Sequence, residues 1–143
     1  MDRVIVIGRP GSASSSFART LGRITRLPVM TADTTPTTDR WIIGGDAGDL
    51  LEARLPVCDT VILLDPPAAA CVRRALAAHP APQHSADTHP AIHLRRALTY
   101  RWTERPRTLA RIAHLAPDAN LVHLTSRGRA RRWLERLAGL PRP

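Results

Sequence analysis

Val4-Ile5-Val6-Ile7-Gly8-Arg9-Pro10-Gly11-Ser12-Ala13-Ser14-Ser15-Ser16 is the stretch on which the reading of this chain turns. Four apolar, β-branched residues run into a Gly/Pro/Ser turn. Phe17, Leu21 and Ile24 then recur at helical spacing. Strand, glycine loop, helix is the layout of the P-loop, whose backbone N–H groups cradle phosphate. The pattern G-x-x-x-x-G-K-[ST] is kept only in part. Gly8 and Ser15 fit it, Ala13 stands where the second glycine belongs, and Ser14 stands where the lysine belongs.

Working outward, the first helix is expected to start with Ser14 or Ser15 as its cap and to end near Arg26, because Pro28 disfavours helix at Leu27. Pro28 to Asp33 reads as a short second strand with Asp33 at its carboxyl end. Arg40 to Gly45 reads as a third strand, and Asp46 and Asp49 open a turn or short helix running to about Arg54. Asp59-Thr-Val-Ile-Leu-Leu-Asp65 is the clearest strand, stopped by Pro66-Pro67, which open a helix over about 68–78. His79 to Pro90 holds three prolines and no apolar period, so it reads as loop. Ala91 to Leu115 is helical in pattern, with a bend or break expected at Pro106. Asn120 to Thr125 is the last strand. Ala130, Trp133, Leu134 and Leu137 then form an apolar stripe on a final helix. Alternating strands and helices give an α/β class. The expected architecture is an open parallel sheet of about five strands with helices on both faces, and ligands beyond the carboxyl ends of the strands.

A chain of 143 residues fits a single domain, 1–143. Such a domain buries about 68–70% of its unfolded surface. No run is long enough to span a bilayer, and Met1 to Val4 reads as strand entry rather than a signal peptide. Cys58 and Cys71 lack C-x-x-C spacing and read as packed thiols of a cytoplasmic protein. The formal net charge is +9. Residues 1–94 carry nine Arg against nine acids, and residues 95–143 carry twelve Arg against three. All basic residues are Arg, a composition like that of high-GC, actinobacterial genomes. Without Lys, neither a P-loop lysine nor a Schiff base is available from this chain.

In motif order the chain resembles the small adenylate-kinase-like P-loop proteins called topology modulation proteins. The likeness rests on Gly8, Pro10, Gly11, Ser12 and Ser15; on Leu27-Pro28-Val29 and Asp33; and on Trp41-Ile42-Ile43 with Gly45. It continues in Arg54, Asp59-Thr-Val-Ile, Leu64-Asp65, Pro67, Cys71 and Arg74, and later in Arg105-Pro106-Arg107 and Leu124-Thr-Ser-Arg127. It implies a nucleotide-kinase-like fold, and ATP or GTP with Mg²⁺ as the cofactor set, Ser15, Asp33 and Asp65 holding the ion. Besides the P-loop changes, the family's strand-end acid is Gly44 here and its following Asn is Asp46. The acceptor-binding segment shrinks to the eight residues Thr34–Trp41, and the lid is replaced by Ala81–His89, which holds no Arg.

Loss of the lysine removes a main source of charge neutralisation in phosphoryl transfer, with a rate cost of roughly 10²–10³ for one preorganised donor. The expectation is therefore a degenerate kinase-like protein that has lost phosphoryl transfer. It keeps an anion or nucleotide cleft built from Gly8, Arg9, Gly11, Ser12, Ser14, Ser15, Ser16 and Asp46, with Arg95, Arg107 and Arg127 as further candidates. Asp33 and Asp65 are the candidate catalytic carboxylates, Asp33 as general base. His89 and His93 have i, i+4 spacing without matching cysteines, so no metal site of their own is assigned. The partner class is an anionic small molecule or nucleotide. Three alternatives stand beside it: an enzyme repurposed for non-phosphoryl chemistry, a kinase using Arg9 in place of lysine, and a basic module binding nucleic acid or protein through arginines interleaved with Tyr100, Trp102 and Trp133.

Overall fold

β1 (Arg3–Gly8) is the middle strand of a parallel sheet, and both of its faces are covered. Val4 and Val6 enter one apolar cluster and Ile5 and Ile7 the other, so strict side-to-side alternation produces a continuously apolar strand. The computed structural model describes residues 1–9, 13–45, 52–77 and 90–139. Gly11, Ser12, Asp46, the stretch 78–89 with His79, His84 and His89, and the chain after Gly139 lie outside them.

The described elements follow in chain order as α1 (Ser14–Thr25), β2 (Val29–Met30), β3 (Trp41–Gly45), a 3-10 turn (Leu55–Val57), β4 (Thr60–Leu64), α2 (Ala68–Ala77), α3 (Pro90–Leu115), β5 (Asn120–Leu124) and α4 (Arg127–Gly139). The five strands are parallel in the order β2-β3-β1-β4-β5. α1 and α4 cover one face, where Phe17 and Trp133 meet with ring centroids 6.1 Å apart. α3 covers the other through Leu109, Ile112 and Leu115. The stripe expected on the last helix is the one that packs: Ala130, Trp133, Leu134 and Leu137 all lie on the sheet. The α/β sheet, doubly covered, is as the sequence implies. Among the described residues no helix is long and apolar enough to cross a membrane.

Three local expectations change. α3 is assigned as one helix from Pro90 to Leu115, with Pro106 inside it. Proline removes one helical N–H donor, and exposed Pro106 lies on the solvent side, where water can serve the carbonyl left over. The second strand shortens to Val29–Met30, followed by a turn that holds Asp33.

The third change concerns the start of α1. Its N-cap is Ala13, at φ 65° and ψ 37°, and no side chain caps it. Neither Ser14 nor Ser15 serves as cap; Ser14 is already the first helical residue and is buried. The left-handed geometry that a glycine would supply is thus kept by a residue with a Cβ. α1 also sits close to the sheet: a Cβ on Gly44 would fall 2.6 Å from the Ala18 Cβ. The acid of the resembling family cannot stand at Gly44 unless α1 lifts.

Left-handed backbone costs a non-glycine residue about 1–2 kcal/mol, whereas glycine adds unfolded-state entropy worth about 0.4–1 kcal/mol. Ala13→Gly should therefore stabilise the fold by about 0.5–1 kcal/mol, which raises Tm by about 2–4 °C. Calorimetry of the two proteins checks it, and an unchanged or lower Tm counts against strain at Ala13.

Candidate functional site

Two backbone hydrogen bonds fasten the carboxyl ends of the central strands. The Arg9 N–H donates to Leu64 O (3.1 Å) and the Asp65 N–H donates to Leu124 O (2.9 Å). They set Arg9, just after β1, beside Asp65, just after β4. The Asp65 side chain is 8% exposed and that of Arg9 is 5% exposed. An ionised carboxylate so far from water needs partners, and three cationic or titratable groups supply them. Arg9 Nη2 lies 3.6 Å from Oδ1, while Arg105 Nε lies 3.0 Å and His123 Nε2 3.3 Å from Oδ2. Arg9 Nη1 also donates to Pro66 O at 3.1 Å. The guanidinium expected to offer charge to a ligand is therefore turned inward, onto the strand-end carboxylate.

Arg105 and His123 were not among the candidates read from sequence. His123 is the one titratable residue in the otherwise apolar run Leu121–Leu124, and the parallel register sets Leu63 opposite it, two residues before Asp65. That polar interruption was the available signal. Arg105 lies in the Arg-Pro-Arg motif of α3, from which Arg107 was chosen instead. Arg107 and Arg95 are exposed on α3.

Asp33 is solvent-exposed, and its carboxyl is held below the usual range by the Thr31 hydroxyl and a backbone N–H. It follows β2, whereas Asp65 follows β4. Three strand spacings, about 14 Å, separate those positions, so the two candidate carboxylates do not share one ion. Burial pushes the Cys71 thiol up, against the opposing pull of the nearby Arg9 and Arg127 charges. Burial and the Asp59 charge likewise push Cys58 up to about 11.

A cleft of about 220 Å³ opens beside this cluster, between α1 and α4. Phe17, Leu64, Leu124 and Leu134 wall it, and Ser16, Ser126, Arg127 and Arg131 bring polar groups to it. Ala13 and Pro66 also line it, so the left-handed turn and the residue pinned by Arg9 both border the space. Of the other expected anion ligands, Gly8 and Ser14 are buried and Ser15 is exposed without lining the cleft. Trp133 packs into the core, whereas Trp102 on α3 is 76% exposed.

The fold has counterparts among solved kinases. A shikimate kinase from Acinetobacter baumannii, solved with shikimate, matches with a TM-score of 0.61 at 13% identity, over 96% of this chain and 90% of that one. An unliganded sugar kinase from a Janibacter species matches with a TM-score of 0.54 at 20% identity, over 95% of this chain and 91% of that one. This is the P-loop kinase fold. At these identities the likeness is one of fold alone. No family model matches the chain, and no curated protein matches it in sequence.

P-loop proteins hold Mg²⁺ through a loop Ser/Thr and an acidic residue at a strand end. The acid present here, Asp65, does not fit that task. Mg²⁺ needs oxygen at about 2.0–2.1 Å in near-octahedral order, and both Asp65 oxygens already face cations. At an effective dielectric of 20, two like unit charges 4 Å apart repel by about 4 kcal/mol. A dication beside Arg9 and Arg105 meets more than that. Among the described residues no group of three or more His, Cys, Asp or Glu is placed to hold a metal.

Removing the shared carboxylate takes a buried counter-charge away from Arg9 and Arg105. Asp65→Asn should cost about 3–5 kcal/mol of stability. Arg40→Ala breaks an exposed pair with Asp2 (2.8 Å) and should cost about 0.2–1 kcal/mol. Denaturant unfolding of both variants checks the contrast, and equal costs refute it.

Proposed function

We propose that this chain is a P-loop kinase-fold protein that no longer transfers phosphate and keeps a small-ligand cleft for an anion at the carboxyl ends of its strands. The observation that carries the reading is the placement of Arg9. The chain has no lysine, and the arginine best placed to replace one is committed to Asp65 and Pro66. Mobile negative charge on a transferring phosphoryl group then lacks the loop cation that normally meets it. The same contact commits the carboxylate at the end of β4. Ala13 at the loop's end brings a methyl to the position where glycine lets backbone approach phosphate. The motif order shared with adenylate-kinase-like proteins supports descent from an active ancestor, and each of these changes removes a working part.

What stays is suited to binding. Arg127 and Arg131 offer planar donor forks that match carboxylate or phosphate. Apolar walls exclude water from one side of the cleft. Its volume lies below the ~300–1,000 Å³ of drug-sized sites, so it suits a single ring or short chain better than a whole nucleotide.

The test is direct. Purified protein is incubated with ATP or GTP, Mg²⁺ and candidate acceptors, and released ADP or GDP is followed by a coupled assay. Turnover should stay at the uncatalysed background for both nucleotides. Sustained turnover lost in Arg9→Gln would replace this reading with that of an arginine-dependent kinase.

A further inference from the structure

We propose that the outer edge of β5 and the adjoining flank of α4 form a docking groove for an extended acidic peptide segment of another protein, which joins the five-stranded sheet as a further strand. This surface is distinct from the cleft between α1 and α4, and neither depends on the other.

The strand supplies the first observation. β5 ends the sheet, with β4 on one side of it. In a parallel pair, alternate residues turn their N–H and C=O to the same neighbour. The Asn120 N–H donates to Asp59 O, and Leu124 O accepts the Asp65 N–H, so Asn120, Val122 and Leu124 serve β4. Leu121 and His123 lie between them, which turns their N–H and C=O groups outward. Among the described residues no backbone group pairs with these outward ones. Leu121 is 43% exposed. An open edge is a template for another strand, and a common guard against that is charge on the strand itself. β5 reads Asn-Leu-Val-His-Leu and carries no fixed charge.

The cations stand beside the edge instead. A groove of about 430 Å³ lies between β5 and α4, with Val122, Leu124 and Trp133 at its apolar side and Arg129, Arg132 and Arg136 bringing charge to it. At about 100° per residue these arginines fall within about 60° of one another on the helix, whereas Arg127 and Arg131 fall on the opposite flank, at the other cleft. The row covers about 10 Å of helix axis, the length of about three extended residues. Among the described residues no carboxylate pairs with any of the three. Glu135, the one acid of α4, meets Arg131 at 3.4 Å.

Edge and row together select the occupant. Leu121 and His123 offer donors and acceptors in alternation, which a peptide backbone matches. A nucleic-acid strand would set phosphate acceptors against the two carbonyls. A second copy of this chain joined edge to edge would bring like surfaces together, arginine row against arginine row. Side chains of an incoming strand alternate between the two faces of the sheet. Those on the α4 side meet the arginines, and those on the other side lie beside Leu121. The fitting segment is therefore acidic at every second position, with uncharged residues between.

The probe is a fluorescein-labelled peptide with blocked ends, Glu-Val-Glu-Thr-Glu-Val-Glu, titrated with the full chain and followed by anisotropy. Saturable binding is expected, weakening as salt is added. The same residues reordered so that the acids are contiguous should bind about tenfold more weakly. N-methylation of alternate peptide residues should abolish binding in one of the two alternate sets and spare it in the other, because only one set faces β5. Arg132→Gln combined with Arg136→Gln should weaken binding about tenfold, whereas Arg23→Gln, on exposed α1, should change it by no more than about twofold. Leu121→Pro removes an outward N–H and leaves the β4 ladder intact; it should bind about tenfold more weakly at an unchanged circular dichroism spectrum. If that variant does not fold, the N-methylated peptides decide the same point. No saturable binding overturns the proposal. Indifference to both N-methylated sets, or an effect of Arg23→Gln equal to that of the groove arginines, also overturns it, by showing unspecific attraction of a polyanion. Tighter binding of single-stranded oligothymidylate of equal charge replaces the peptide with nucleic acid. Sedimentation as a dimer that the peptide does not dissociate replaces it with a second copy of the chain.

Discussion

A carboxylate withdrawn from water beside two guanidinium groups holds one end of this sheet in register. Asp65 brings together the turn after β1, the end of β4, the middle of β5 and the body of α3 through Arg9, His123 and Arg105. Apolar packing alone would not require those four segments to meet at one point, because hydrophobic contact is nearly indifferent to direction. A buried ion pair is directional, and it is costly when one partner leaves. Its contribution is therefore geometric before it is energetic. It fixes where Arg9 points, and through Arg9 it fixes what the loop can offer to a ligand.

The entry to α1 shows backbone geometry set against the preference of its residue. Ala13 keeps a left-handed conformation although its methyl disfavours it. The strand before and the helix after are both packed, so the connecting turn has little choice of path. Gly44 tells the same story from the other side of α1. Its missing side chain lets the helix approach to where Ala18 would otherwise collide. Close packing of α1 on the sheet goes with the backbone found at both positions.

The fold was legible because its signals are repeated. Every strand of the central three carries several apolar residues, and each helix covering the sheet carries its own stripe, so an error at one residue does not alter the architecture. Val4 to Gly8 and Thr60 to Leu64 could hardly be anything but buried parallel strands. The site had no such redundancy. Arg9 turns onto Asp65 and Pro66, which are more than fifty residues away in sequence. Helix and strand periods say nothing about such a meeting. The cap of α1 failed for a related reason: serine is a favoured cap, but the position was decided by the turn entering the helix, which set Ala13 there first.

The arginines of this molecule are put to several uses. Twelve of the twenty-one arginines follow residue 94, and those described serve unlike ends. Arg105 neutralises Asp65, Arg111 pairs with Glu52, Arg131 meets Glu135 in solvent, and Arg127 lines the cleft. A guanidinium stays protonated at any physiological pH and has five donors and no acceptor. It can hold an anion in one orientation, but it cannot pass a proton. Among the described residues His123 and Asp65 are engaged with each other, and Asp33 follows β2, three strands from β4. A cleft walled by leucine and phenylalanine and served by arginine and serine is thus equipped to recognise a charged head and an apolar body.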